Sequence, residues 1–410
     1  MVQNLLPFFN EILKTLFINQ MKIICLLLIL ALNCSFGYSQ TDNFQTYLDS
    51  AKNLFKSAAN LSSEELQYFD YQAILPLLNE AIALNDQSAE AYYYLGYTYS
   101  RMNSMDANGL LGMNEEWVQK ASDALHQCIA IAPFYSGEII ALDPYSKLTS
   151  EWGALATSYL YNYNQQAARA AFIEGKKQGG FSEYLLAIHR KTLAACAPNA
   201  ILISSGDIQF FPLLYLQEVE AYRTDVTIID AGLLHTDWYA SFLSDNNVVQ
   251  FDIPSDSLKG ISYIEWEAQN QNIGKFTWKV PPSLYDQYLL RGDRLLLSLI
   301  KKNNFEREVC FGAFFPNASW LGLESFCDQH LFINVLNPSK KVKLNLNTCK
   351  EDFIFLLSTP TWNTINLNSA NEPQLYDMYY RGMYEIINKN YFKPKKAGEL
   401  LEIIEAAPIH

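Results

Sequence analysis

The sequence predicts a two-part fold: a helical first half built from paired helices, then a half in which strands and helices alternate, closed by a helical tail. Three observations lead there. A pattern of large and small residues recurs at fixed spacing in the first half. Two short apolar runs flank a helical stretch in the second. An apolar segment near the N-terminus has the dimensions of an export signal. The chain has 410 residues, 50% hydrophobic and 18% charged, with 26 Tyr and 24 Phe. That balance excludes wholesale disorder and collagen-like chains, and the length accommodates two or three domains. A net charge of −13 without a basic run excludes nucleic acid as a partner on electrostatic grounds and gives no attraction to anionic lipid.

The first element is a targeting segment, residues 1–39. Lys22 supplies a positive start, Ile23 to Leu32 form an apolar run, and Gly37 and Ser39 sit three residues and one residue before a cut ahead of Gln40. This is the layout of a secretory signal peptide, with Met21 as the expected true start. The apolar run is too short to span a bilayer comfortably. The expected destination is export, to the periplasm or the outer membrane of a Gram-negative cell. Five cysteines remain after it: Cys128, Cys196, Cys310, Cys327 and Cys349. They are odd in number, widely spaced and without a C-x-x-C pair. Buried free thiols with at most one or two bridges are therefore expected, and no metal site or cofactor. No later segment has the length of a membrane span.

Residues 40–185 carry the recurring pattern. Tyr92, Leu95, Gly96 and Tyr99 give an aromatic-x2-L-G-x2-Y spacing, and Trp152, Leu155, Ala156 and Tyr159 repeat it. Ala121, Leu125 and Pro133 follow the first copy; Ala168 and Phe172 follow the second. Small residues let two antiparallel helices approach closely, and large ones fill the gaps between neighbouring pairs. In this spacing the region resembles the tetratricopeptide repeat family. About 13 extra residues lie between Tyr99 and Ala121, and a comparable stretch, Gly137 to Thr149, precedes Trp152. Both fit loops or lengthened helices. Such a stack implies either a protein-binding groove or a packing platform for the rest of the chain.

Residues 186–410 alternate. Glu183 to Ala195 read as a helix stopped by Pro198. Ala200 to Ser205 read as a buried strand, Pro212 to Tyr222 as a helix, and Val226 to Asp230 as a second buried strand, a βαβ unit with parallel pairing. Further strands are expected at Val248 to Ile253, Val309 to Phe315 and Leu331 to Leu336. A hairpin is expected from Ile261 to Trp266 and Phe276 to Val280, and a strong amphipathic helix over Asp286 to Lys302. The tail from Glu372 to Ala407 reads as helical. The fold class is thus α + α/β, a tetratricopeptide-like repeat followed by a Rossmann-like domain.

The stretch NAILISSGDIQFFPLLYLQEVEAYRTDVTIIDAGLLHTDWY, Asn199 to Tyr239, is similar to the soluble C-terminal region of a bacterial envelope family of unknown function described as protein O-mannosyltransferase-like membrane glycosyltransferases (glycosyltransferase family 117-like). Weaker matches follow around Leu295 to Phe311 and Trp320 to Glu324. The resemblance implies a link to envelope glycosylation machinery. It does not carry the transferase activity over, because the family's membrane-embedded half has no counterpart here. The family's Gly-Asp is usually followed by Asn-Asp, where this chain has Ile208-Gln209, and a family Thr is replaced by Phe210.

Candidate site residues follow from topology. Ligands in open α/β sheets sit beyond the carboxyl ends of strands. Ser205, Gly206 and Asp207 end the first strand; Asp230, His235 and Asp237 follow the second. Converging, Asp207 would bind a metal or sugar hydroxyl and His235 would act as acid or base. Against this stands the plain reading in which Asp207 and Asp237 cap turns or helices. His189, beside Arg190 and Lys191, reads as part of a solvated helix face. No G-x-S-x-G, H-E-x-x-H or phosphate-loop motif is present. The function expected is a non-catalytic, exported mediator of protein–protein contacts in the cell envelope. The alternative is a carbohydrate- or sugar-phosphate-binding domain or enzyme centred on Asp207.

Overall fold

The computed structural model describes residues 40–407 apart from positions 59, 62, 67, 105–106, 340–343 and 390. The expected export segment lies outside the described residues. Helix α1 (Gln40–Ala58) packs on α2 (Leu75–Leu84), α3 (Ala89–Ser104) on α4 (Glu115–Ile131), and α5 (Pro144–Tyr161) on α6 (Gln165–Lys177); α7 (Glu183–Ala195) follows. Helix starts are set locally. Asn114, Asp143, Asn164 and Ser182 each accept a first-turn backbone N–H with their side chains. Close approach within pairs is sterically exact. A Cβ on Gly96 would lie 2.9 Å from Leu125 Cγ, and one on Gly175 would lie 2.4 Å from Trp152 Cβ.

Leu95, Trp152, Leu155, Ala156, Ala168 and Phe172 are buried, whereas Tyr92, Tyr99 and Tyr159 are half-buried. The fully enclosed aromatics of α3 are their neighbours Tyr93, Tyr94 and Tyr97. Their role is to pin the segment before α5. The Tyr93 and Tyr97 hydroxyls donate to Leu142 O at 2.8 and 2.9 Å and accept from Ile140 N and Leu142 N. The two extra stretches resolve differently. The first holds a 3-10 turn, Ala107–Gly112, while the second is a non-helical segment, 137–143, followed by the first turns of α5 from Pro144.

The second half is α/β with a mixed sheet, not a purely parallel one. Strand β1 (Ile201–Ser204) leads through α8 (Asp207–Glu218) to β2 (Thr227–Asp230). Helix α9 (Tyr239–Asp245) comes next. The short pieces β3 (Ile264–Glu265), β4 (Gln269–Ile273), β5 (Phe276–Val280) and β6 (Tyr288–Leu289) precede α10 (Arg291–Asn303). Strands β7 (Val309–Gly312), β8 (Cys327–Gln329) and β9 (Ile333–Leu336) complete the five-stranded sheet, in the order β2-β1-β7-β9-β8. β1 runs parallel to β2 and β7, with Leu202 opposite Ile228 and Cys310; β9 is antiparallel to both β7 and β8.

Several expectations change. Val248 to Ile253 form no strand. The hairpin partner of 276–280 is 269–273 rather than 261–266, whose end pairs instead with 288–289. Helix α8 begins at Asp207, five residues before Pro212, because the Gly206 turn lets the chain enter the helix directly from β1. Helix α9 starts without a side-chain cap, and the nearby Thr236 hydroxyl donates back to Leu233 O. His189 is buried, 2% exposed. Its ring lies 2.7 Å from Leu185 O, and burial lowers its pKa to about 4. Arg190 pairs with Glu220 and Lys191 with Asp352 of the tail, while the His189 side chain on the same helix is buried in the core.

Helices α11 (Leu346–Leu357), α12 (Asn371–Asn388) and α13 (Pro394–Glu405) close the chain. They share a core with Tyr184, Leu185 and Ile188 of α7 and with Leu331 and Phe332. Asp143 ties this tail to the helix stack. Its Oδ2 accepts from Ser146 Oγ, Ser369 Oγ and Asn371 N, at 2.8, 2.8 and 3.1 Å. The main core is continuous from Trp152 and Phe172 of the stack to Ile201, Phe211 and Phe311 of the sheet half.

The join between the halves is at Gly153, where a Cβ would sit 2.4 Å from the Phe211 ring and 2.6 Å from its Cβ. Two effects oppose each other in Gly153→Ala. Helix propensity favours Ala by about 1 kcal/mol. Overpacking against a side chain anchored at its own Cβ costs about 1–3 kcal/mol. The expected outcome is net destabilisation, read as a lower urea midpoint at unchanged slope.

Candidate ligand cleft

The carboxyl ends of β1 and β2 open onto a cavity of about 560 Å³, roofed by the helix stack. That volume falls in the range of small-molecule sites. The floor is Ser205, Gly206, Asp207, Asp230, Gly232 and Leu233; the roof comes from α3 and α5 with Tyr97, Arg101, Lys147, Ser150 and Glu151. Gly206 makes the floor possible. Its φ of +87° is the left-handed backbone that side chains other than glycine adopt only with strain, and it turns β1 straight into α8.

Asp207 is the first residue of α8, so its carboxylate sits at the positive end of the helix dipole. Its Oδ2 accepts from Ser150 Oγ at 2.6 Å, a bond across the join between the halves. Asp230 is buried at the end of β2. Its Oδ1 accepts from Leu233 N at 2.8 Å, and the Gly206 and Gly232 amides also donate to it. Burial nevertheless pushes its pKa up to about 7, with the nearby Asp207 charge adding in the same direction and the amides opposing.

On the roof, Lys147 Nζ pairs with Glu151 Oε1 at 2.7 Å and lies 4.9 Å from the Tyr97 ring centre. The Glu151 side chain is only 3% exposed, and its Oε2 has no hydrogen-bond partner among the described residues. A buried carboxylate oxygen without a donor is unfavourable, so this atom marks a position suited to a donor group.

The structure thus brings Ser205, Gly206, Asp207 and Asp230 together but sets His235 and Asp237 apart. These two border a second, more open cavity with Lys259, Tyr263 and Arg291. His235 Nδ1 accepts from Gly292 N at 3.3 Å, at the start of α10, a role open only to the neutral ring. Packing of that ring edge against the helix lowers its pKa. Arg291 donates to the carbonyls of Thr236, Leu258, Lys259, Ile261 and Asp237, so its guanidinium clamps loops together. The expected convergence of Asp207, Asp230 and His235 does not occur, because the 3-10 turn Leu233–His235 carries His235 away from the strand ends.

Sequence reasoning missed Arg101, Lys147, Ser150 and Glu151. The available signal was the i, i+4 pairing of Lys147 with Glu151 just before Trp152. Among the described residues no group of three His, Cys, Asp or Glu is arranged to hold a metal ion, and no helix is long and apolar enough to cross a membrane.

A family model described as TMEM260-associated domain 2 matches residues 186–257, which hold β1, α8, β2, α9 and so the floor of the cleft. No curated protein and no solved structure matches the chain significantly.

Asp230 gives a pH prediction. Its folded pKa lies above the ordinary carboxylate value, so the folded state holds the proton more tightly. The stability this contributes is full below about pH 4 and is lost as pH rises to about 7. Asp230→Asn should therefore flatten the fall in melting temperature between pH 4 and 7 relative to wild type. Parallel profiles for the two proteins would show that Asp230 titrates normally.

Proposed function

We propose that this protein is an exported, non-catalytic recognition component of the bacterial cell envelope. It holds a carbohydrate-class ligand in the cleft between its halves and works through protein contacts near glycosylation machinery. The observation that carries the proposal is the unpartnered Glu151 oxygen in a cavity already lined by Asp207, Asp230, Arg101 and Lys147. Carboxylates accept and cationic side chains donate, so together they match a neutral ring bearing several hydroxyls. Leu110, Met113 and Leu233 supply apolar wall for the C–H faces of such a ring. In this reading the first half is a tetratricopeptide-like stack that serves chiefly as the wall of the cleft, and the second is a Rossmann-like variant.

Binding rather than turnover is favoured by two features. Asp207 is engaged by Ser150, and the histidine that would serve beside it faces Gly292 instead. The family match to a TMEM260-associated domain and the resemblance to O-mannosyltransferase-like proteins both fit a soluble partner of envelope glycosylation.

The test is a thermal-shift screen with neutral hexosides, sugar phosphates and nucleotide sugars. A ligand at 100 times its Kd should stabilise the fold by about 2.7 kcal/mol. Glu151→Gln and Asp207→Asn should each reduce the shift for the same ligand. Absence of any shift across the panel at millimolar concentration, with the wild-type protein folded, would overturn the cleft reading.

A further inference from the structure

The second cavity, about 550 Å³, lies at the amino-terminal end of α10. That is the size of a small-molecule site. Three segments meet there: the turn after β2 with His235 and Asp237, the loop with Lys259, Ser262 and Tyr263, and Leu290 with Arg291 at the start of α10. Positive charge collects around it. Arg291 donates all five of its N–H groups to carbonyls, those of Leu258, Thr236, Lys259 and Asp237 at 2.9, 3.0, 3.1 and 3.4 Å and that of Ile261. Arg294, one turn further along α10, donates to Ser262 O at 2.5 Å. Among the described residues neither guanidinium forms an ion pair, so their hydrogen bonding is provided for while their charge is not neutralised. Burial lowers the Arg291 pKa; Asp237 opposes this and the Arg294 charge adds to it. Lys259 is exposed, and its ammonium has no hydrogen bond or ion pair among the described residues. Against these three cations stands Asp237, the one carboxylate among the described residues that line the cavity.

We infer that this cavity is a binding site for a small organic phosphate, separate from the cleft and independent of its carbohydrate ligand. The choice of phosphate over carboxylate follows from the donors. A carboxylate is held best by a bidentate guanidinium fork, and the Arg291 fork is already occupied. What remains is a set of single donors from different segments: the Lys259 ammonium, the Tyr263 hydroxyl and the His235 ring. His235 Nδ1 accepts from Gly292 N at 3.3 Å, so the neutral ring carries its proton on Nε2, which has no partner among the described residues. A phosphate monoester offers three strong acceptor oxygens to donors that approach from different directions. Arg291 and the positive end of the α10 dipole add potential of the matching sign. The Tyr263 ring is 62% exposed and stands edge-on to Tyr288 at 5.5 Å. With Ile261 and Leu290 it gives an apolar wall for the organic part, and Asp237 suits a hydroxyl on that part.

The experiment is isothermal titration calorimetry of the full chain at low ionic strength, with inorganic phosphate and with glycerol 3-phosphate, against sodium chloride of matched ionic strength. Saturable binding of both phosphates is expected, tighter for glycerol 3-phosphate. Lys259→Ala should weaken it about tenfold, through loss of one charge-assisted hydrogen bond. This variant keeps the fold, because the Lys259 carbonyl that Arg291 holds belongs to the backbone and only an exposed ammonium is removed. Glu151→Gln, in the cleft, should leave phosphate affinity unchanged, so the two sites stand or fall separately. Absence of phosphate binding above the chloride control would overturn the proposal. So would equal affinity in Lys259→Ala, or loss of affinity in Glu151→Gln, which would move the anion to the cleft. Capture of the protein on phosphatidic acid vesicles without binding of the soluble phosphates would overturn it too, by assigning the positive patch to a membrane surface.

Discussion

The contact of helix α5 with helix α8, Phe211 seated over Gly153, is the constraint from which the rest of the molecule follows. It makes one core out of two sequence regions that differ in periodicity. It also fixes the distance at which Ser150 reaches Asp207 across the join, and so fixes the height of the cleft. The helix stack is therefore less a free-standing concave surface than the roof of a site whose floor belongs to the sheet. The loop before α5 is held by paired hydroxyl bonds from Tyr93 and Tyr97, and Asp143 anchors the tail to the same place. Three separate stretches of chain meet at the first turn of α5.

The two edges of the sheet are built to opposite chemistry. At the amino-terminal edge, Arg223 donates to the carbonyls of Leu193, Cys196 and Ala197, and Arg307 to those of Asn199 and Ala200. These guanidinium forks gather the carbonyls around the start of β1, and they close that edge. At the carboxyl-terminal edge the polar groups are not closed off. Asp230 is buried with its pKa near neutrality, and Glu151 keeps an oxygen without a donor. Of the buried polar atoms without a partner among the described residues, the Glu151 oxygen is the one on a residue that lines the cleft, and it suits a donor from a bound group. The Gln209 side chain packs over the end of β7, where it would stand 2.8 Å from a Cβ on Gly312.

Much of the fold was legible because its signals are local. The spacing of Gly96, Ala156, Ala168 and Phe172 announces paired helices, and the two apolar runs around α8 announce a parallel pair. Half of the candidate site was legible for the same reason, since Ser205, Gly206, Asp207 and Asp230 lie at strand ends that the sequence itself delimits. His235 and Asp237 were misplaced because a three-residue 3-10 turn, invisible to periodicity, changes direction right after β2. His189 was misread because its charged neighbours Arg190 and Lys191 mask which side of α7 is packed.

By itself, the sequence determined the paired helices of the first half, the parallel pair flanking α8, which small residues permit close helix approach, and that the strand-end loop carries carboxylates beside a glycine. Short-range forces set these: side-chain caps, backbone strain and the alternation of apolar residues. Only the tertiary structure decided that Lys147, Ser150 and Glu151 share a cavity with Asp207, and that β9 runs against β7. Those outcomes depend on how separated segments share one buried volume, and packing of that kind leaves no periodic trace along the chain.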